Sequence, residues 1–182
     1  MTEATPEVDA SGVDALRLPL LPLNTGVVLP QMVVTLALES AEGRDAADGA
    51  IAGDRRILLV PRVGSGYTRI GTVARIENEG ELPGGQRALV LRGLSRAVIG
   101  RTAESDQPGV WVEADPVAEP ASVSGRAKEM VREYRAVVRG IAEKLGNPRI
   151  ADALAGVDDP GALADTAGWA PDMPIDLSLI HI

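Results

Sequence analysis

The chain has 182 residues, no Cys, one His and a formal net charge of −8. That length suits one domain, or a small domain with an appendage, and the missing thiols exclude disulfides, Cys-ligated zinc and Cys nucleophiles. The acidity disfavours nucleic acid as a partner because neutralising phosphates needs clustered cations. Cations are 16 Arg against Lys128 and Lys144 alone, and Phe is absent, so Leu, Val, Ile and Ala must supply the core. No run of about 18 apolar residues occurs and the first residues are acidic, so the expectation is a soluble cytoplasmic protein with neither spanning helix nor leader.

Residues 1 to 15 lack periodicity and are expected as a disordered tail. In Arg17 to Leu23 the prolines Pro19 and Pro22 predict an edge strand or an extended arm. Asn24-Thr25-Gly26 reads as a turn, Val27-Val28-Leu29 as a short apolar piece, and Pro30-Gln31 as a break before a strand over Met32 to Leu38. Ser40 is placed to cap a short Ala-rich helix over Ala41 to Ala52, weakened by Gly43 and Gly49. Ile57-Leu58-Leu59-Val60 makes Arg56 to Val63 a buried strand, stopped by Gly64-Ser65-Gly66. A strand over Gly71 to Ile76 follows, then turn residues from Asn78 to Gly85, with Pro83-Gly84-Gly85 as a hairpin loop. A long strand is expected over Arg87 to Ile99 with a bulge at Gly93, and a sixth over Val110 to Val117. Six strands and one small helix suggest a closed or half-closed barrel.

The period then changes. Ala127, Met130, Val131, Tyr134, Val137, Val138, Ile141 and Leu145 recur at spacings of three and four, predicting a helix from a Ser124 cap to a left-handed stop at Gly146. At roughly 1.5 Å per residue this helix is too long for a small barrel to cover. Pro148 to Ala155 reads as a second helix. Asp159-Pro160 opens a third that ends near Gly168-Trp169, and 170 to 174 reads as irregular.

The residues that enzyme chemistry requires are scarce. His181 is the only histidine, which argues against His-based acid-base catalysis and His metal clusters. Ser124 and Lys128 share a helix face, but Ser124 reads as a cap and Lys128 as a solvated charge. Gly64-Ser65-Gly66 and Gly84-Gly85 are turns, since no G-x-x-x-x-G-K-[ST] exists. Glu77, Glu79 and Glu81 alternate with no intervening cation, so they read as a solvated loop and not as a site. Trp111, Trp169 and Tyr134 read as core or joint residues. Asp54 to Arg101 holds nine Arg against four acids, which keeps an RNA-binding alternative open, although aromatic-basic interleaving is missing.

The order of four short motifs carries more than any one of them. Leu18 to Met32 (LPLLPLNTGVVLPQM) resembles the opening of the N-terminal domain of Lon-type ATP-dependent proteases. Ile70 to Ile76 resembles that family's G-T-x-A-x-I strand, Leu82 to Gly85 its L-P-[DG]-G hairpin, and Leu89 to Ala97 its long strand with G-x-x-R. Asn24-Thr25 stands where many members carry charge, and Leu29 where Phe is common. The resemblance, over Leu16 to Pro174, implies an α+β chain: a six-stranded PUA-like pseudo-barrel with one short helix over 16 to 120, then the start of a truncated helical bundle over 121 to 176. It implies a module that recruits unfolded or degron-bearing proteins and supports hexamer assembly, with no catalytic, metal or cofactor site of its own. ATP, Mg and the Ser-Lys protease would belong to a missing part of the parent. Leu177 to Ile182 matches an adapter-encoded string and is expected as a non-native tail. A stand-alone protein consisting of this domain only is the other alternative. Because Pro30 interrupts pairing, Val28, Leu29, Pro30, Gln31 and Met32 are the candidate substrate-protein contact, either protruding or lining a groove; the competing reading folds Val28 and Leu29 into the barrel.

Overall fold

The computed structural model describes residues 15–118, 122–169 and 174–182. The tail expected at 1 to 15 and the irregular segment expected at 170 to 174 lie outside them except for Ala15 and Pro174. In chain order the elements are β1 (Leu16–Leu23), β2 (Val33–Ala37), α1 (Ala41–Ala52), β3 (Arg56–Val63), β4 (Gly66–Tyr67), β5 (Ile70–Leu82), β6 (Gln86–Ala103), β7 (Trp111–Pro116), α2 (Gly125–Lys144), α3 (Pro148–Ala155), α4 (Pro160–Asp165), a 3-10 turn (Thr166–Trp169) and α5 (Ile175–His181). All six expected strands are present, and the two-residue β4 adds a short hairpin on β3.

Five strands close a ring in the order β1-β7-β6-β5-β3, with β3 returning to β1. β2 stands off this ring and pairs with β6. The prolines of β1 do not make it an edge strand, in contrast to the sequence-based expectation. Leu16 to Pro19 pair antiparallel with β7, and Leu20 to Leu23 pair parallel with β3. Leu20 N–H donates to Val110 O at 2.8 Å, so strand alternation turns the nitrogen of Pro22 to the same side, beyond the last β7 partner, and that of Pro19 to the β3 side, before that pairing begins. Each missing N–H thus falls where no acceptor is waiting.

Alternation along β1, β3 and β5 also divides the interior into two cores. Inside the ring lie Leu18, Leu20, Leu58, Val60, Val73, Ala97, Val112 and Ala114. On the other face of the same strands lie Leu21, Leu23, Ile57, Leu59, Ala74 and Ile76, joined by Leu89 and Leu91 of β6, Val28, and Ala46, Ala47 and Ala50 of α1. Ser40 caps α1 as expected, its Oγ accepting from Gly43 N–H at 3.0 Å. Gly49 is required there, since a Cβ on it would lie 2.3 Å from Pro108 O.

β6 serves both cores by changing partners. Its residues 88 to 92 pair with β2 and its residues 97 to 103 with β7, along one side, while β5 runs along the other. The change falls at Gly93. There Gln31 N–H donates to Gly93 O at 3.0 Å and Gly93 N–H donates to Met32 O at 2.9 Å. A Cβ on Gly93 would lie 2.3 Å from Leu29 O. The expected bulge is present one residue on: Val73 faces Ser95 and Ala74 faces Gly93, so Leu94 has no partner.

β5 is longer than expected. It runs to Leu82, making Glu77, Glu79 and Glu81 strand residues and not a loop. Cations from other segments offset their repulsion: Arg92 pairs with Glu77, and Arg87 and Arg55 pair with Glu79.

α2 starts at Ser124, whose Oγ accepts from Ala127 N–H at 3.1 Å, and stops where Gly146 takes φ +65°. Its apolar stripe divides. Ala127, Val131, Tyr134, Val138 and Ala142 turn inward, and α2 packs on α3 and α4. Met130, Val137, Ile141 and Leu145 stay exposed. α4 carries its expected cap, Asp159 Oδ2 accepting from Ala162 N–H at 2.7 Å. Arg96 of β6 ties this helical part to the barrel. It donates through Nη2 and Nη1 to the Asp165 carboxylate at 2.5 and 3.2 Å and through Nε to Ile182 O at 3.0 Å.

Three outcomes are expected. Gly93→Ala should lower stability by about 1–3 kcal/mol in urea denaturation, because the new methyl meets a backbone carbonyl, whereas Gly80→Ala, with open space at its Cβ, should stay within about 0.5 kcal/mol of the parent. Thr72→Val should cost about 1–3 kcal/mol by the same measurement, since the buried Thr72 hydroxyl is the donor to Val28 O at 2.5 Å. Asp165→Asn should weaken the joint by about 2 kcal/mol, read as faster amide exchange in α4 with unchanged protection in β5 and β6.

Candidate functional site

The five residues singled out from sequence form one turn, but they do not share one environment. Met32 N–H donates to Leu29 O at 3.1 Å, closing a four-residue turn with Pro30 at its second position and Gln31 at its third. Gln31 takes φ +67°, as the third position of a type II turn demands. Leu29 N–H also donates to Met32 Sδ at 3.2 Å. Val28, Leu29 and Pro30 are buried, Met32 is half-buried against the core around α1, and only Gln31 is exposed. The protruding arrangement therefore fails for Val28 and Leu29, and the alternative that folds them inward holds. The physical reason is the crossing over Gly93: it draws the backbone of Leu29 and Pro30 against β6 and leaves Leu29 at 1% exposure. The surface portion of this region is Gln31, the outer part of Met32, and Val33, which is 50% exposed.

Val33 begins a small sheet in which β2, the first half of β6 and the second half of β5 lie side by side. Leu89 and Leu91 face the core, so Ala88 and Val90 lie on the opposite face, opposite Ala37 and Thr35 of β2 and Gly80 and Asn78 of β5. Small residues leave a shallow hollow of ≈ 250 Å³ there, lined by Thr35, Gly80, Ala88 and Val90 and bordered by Glu79 and Glu81 among others. On the other face of β6, the one turned to α1, Arg87 donates to Asp48 Oδ1 at 2.7 Å and to Glu79 Oε2 at 3.0 Å. These hydrogen bonds, first from Asp48 and then from Glu79, raise the Arg87 guanidinium above its ordinary value.

A second apolar hollow lies in the helical part. Met130, Val131 and Tyr134 of α2 and Pro160, Leu163 and Ala164 of α4 line ≈ 230 Å³, with Met130 58% exposed at its edge. Sequence periodicity located the α2 wall, but nothing local marked α4 as its partner. Tyr134 joins the two elements, its hydroxyl lying 3.2 Å from Thr166 Oγ1.

Two of the side chains weighed for chemistry have structural partners. Ser124 Oγ is occupied as the α2 cap. Trp111 Nε1 donates to Pro108 O at 3.0 Å, fixing the loop that packs on Gly49. Trp169 ends the 3-10 turn at 41% exposure, and His181 ends α5. Among the described residues no group of three or more His, Asp or Glu is placed to hold a metal ion. No helix among them is long and apolar enough to cross a membrane.

Of the nine Arg between Asp54 and Arg101, seven are paired. Arg55, Arg56, Arg62, Arg87, Arg92, Arg96 and Arg101 all pair with carboxylates. Four of those carboxylates, Glu42, Asp48, Glu113 and Asp165, come from outside the basic segment. Folding thus offsets most of the positive charge that this segment has along the chain. Arg62 also lies over the Tyr67 ring, 5.3 Å from its centroid, with the Tyr67 hydroxyl bonded to Glu42. Hydrogen bonding to Tyr67 is the chief cause that raises the Arg62 guanidinium above its usual value.

This architecture has close relatives among known proteins. Residues 17–177 match the family model of the ATP-dependent protease La (LON) substrate-binding domain. The chain is 43% identical over 153 residues to a Lon protease of Salinispora arenicola, covering 84% of this chain and 19% of that one. It is 35% identical over 158 residues to a Lon protease of Mycolicibacterium smegmatis, covering 86% and 20%. The solved N-terminal domain of Mycobacterium avium complex Lon protease superposes with a TM-score of 0.80 at 33% identity, covering 89% of this chain and 87% of that one. The chain therefore spans about a fifth of the length of the curated relatives it matches. The ring, the off-ring β2 and the helices after β7 are thus the fold of a substrate-binding domain, and the chain belongs to the Lon protease family as its N-terminal substrate-binding part.

Proposed function

We propose that this domain captures unfolded or degron-bearing protein segments for a cytoplasmic, hexameric Lon-type serine protease, whose ATP, Mg and Ser-Lys chemistry reside outside these 182 residues. The observation that carries this reading is the match to the substrate-binding domain over 17–177, nearly the whole chain. Two physical features support it. The Ser124 hydroxyl is engaged as a helix cap and the Trp111 indole in a loop bond. The surface offers apolar relief at Met32 and Val33 and between α2 and α4, and a hollow over Gly80 and Ala88 that Glu79 and Glu81 border. A flexible Met at two of these places, Met32 and Met130, suits partners of varied sequence. Binding through such small patches is weak, because the partner must also be ordered.

The test is titration of the domain against fluorescein-labelled lysozyme, once reduced and carboxymethylated so that it stays unfolded, and once native. Saturable binding of the unfolded form in the micromolar range or weaker, without binding of the native form, is the expected result; equal binding of both, or of neither, would end this reading. The domain should also release no phosphate from ATP, since its sequence contains no P-loop.

A further inference from the structure

β2 pairs on one side only. Leu38 N–H donates to Arg87 O and Gly93 N–H donates to Met32 O, each at 2.9 Å, and the register between them is unbroken, Val33 facing Arg92 and Ala37 facing Ala88. Residues 32, 34, 36 and 38 therefore turn their peptide groups to β6, and alternation turns those of Val33, Thr35 and Ala37 outward. Among the described residues no strand pairs with that outer side.

The opposite margin of the same small sheet is treated quite differently. Beyond Ile76, the free side of β5 carries Glu77, Glu79 and Glu81, and Arg55 Nε donates to Ile76 O at 3.0 Å. The register shift at Ile76/Asn78 twists this part of β5 further. Charge and bulges are the devices by which sheets block the addition of a strand. β2, with the sequence Val-Val-Thr-Leu-Ala, has no charge, no proline and no register shift.

We infer that the outer edge of β2 takes up an extended segment of a protein substrate as an added strand, held by main-chain hydrogen bonds to Val33, Thr35 and Ala37. This rests on the substrate-binding reading and gives it a location. Beside the end of this edge is a cavity of ≈ 130 Å³ lined by Leu36 and Ala37 of β2 and by Asn24, Thr25, Glu39 and Ser40 among others, which has room for one side chain of the added strand. Other positions of that strand lie beside exposed Val33 and Thr35. Main-chain bonding gives affinity without demanding a sequence, as diverse unfolded partners require. A second copy of the chain is the weaker occupant, because a five-residue edge is only about 17 Å long and edge pairing along it falls far short of the roughly 1,200 Å² that a stable interface buries.

Thr35→Pro removes one outward N–H and leaves the β6 ladder intact, while the double variant Val33→Lys, Thr35→Lys places charge on the edge and keeps every N–H. The probe is a short fluorescein-labelled peptide of alternating valine and threonine, with the same peptide N-methylated at successive amides as its control. The wild-type domain should bind the first and not the second, and binding should slow amide exchange at Val33, Thr35 and Ala37. Each variant should weaken binding by at least about tenfold with an unchanged circular dichroism spectrum, and Thr35→Ser should bind as wild type; should Thr35→Pro fail to fold, the double Lys variant decides. Peptide protection at other amides, undiminished binding by the double Lys variant, or protection of the β2 edge that rises with protein concentration alone would overturn the inference. If the double Lys variant still binds carboxymethylated lysozyme as wild type does, the edge is excluded and the substrate-binding reading stands. If the wild type binds neither probe, both fall.

Discussion

The crossing of Leu29 to Met32 over Gly93 is the contact on which the arrangement of this domain depends. β6 has two partners on one side, and both can be accommodated only if the chain between β1 and β2 passes the point where one partner gives way to the other. The backbone approaches so closely there that a Cβ would meet Leu29 O at 2.3 Å. Two hydrogen bonds between Gly93 and the loop replace the strand pairing that is interrupted. In consequence Leu29 and Val28 are carried inward, β2 is laid along β6, and a second core forms on the outside of the ring.

That second core separates the two tasks of the barrel half. The closed ring is a rigid frame whose interior is filled by aliphatic side chains from all five strands. The small sheet beyond Gly93, made of β2 and the adjoining halves of β5 and β6, has free margins, and margins are where a sheet can interact. On one of them acids and Arg55, Arg87 and Arg92 form a charged border. On the other the edge is neutral and straight. The asymmetry costs no core packing, because Val34 and Leu36 still cover the inner side.

Among the described residues the helical part is attached by polar chemistry, and neither core cluster includes a residue of it. Arg96 reaches out of β6 to the Asp165 carboxylate, with side-chain exposures of 16% and 8%. A pair this well shielded is costly to separate, so it fixes the position of α4 against the barrel. α4 in turn offers Leu163 to the inner stripe of α2. Half of the α2 stripe is left uncovered as a result, and Met130, Val137, Ile141 and Leu145 remain available on its surface.

Local sequence determined the elements of this protein and, through four motifs in order, its family: short aliphatic runs bounded by Pro and Gly specify strands, and Ser40, Ser124, Asp159 and Gly146 specify helix ends, because each is a property of a few adjacent residues. The neighbours of those elements were decided only by the tertiary structure. Pro19 and Pro22 argue for an edge strand until two different partners prove to use alternate sides of β1. Glu77, Glu79 and Glu81 look like a loop until cations arrive from Arg55, Arg87 and Arg92. Val28 and Leu29 have the same composition whether exposed or buried, and their burial depends on Gly93, far along the chain. Pairing, burial and charge balance are sums over contacts between segments distant in sequence, so no window of adjacent residues contains them.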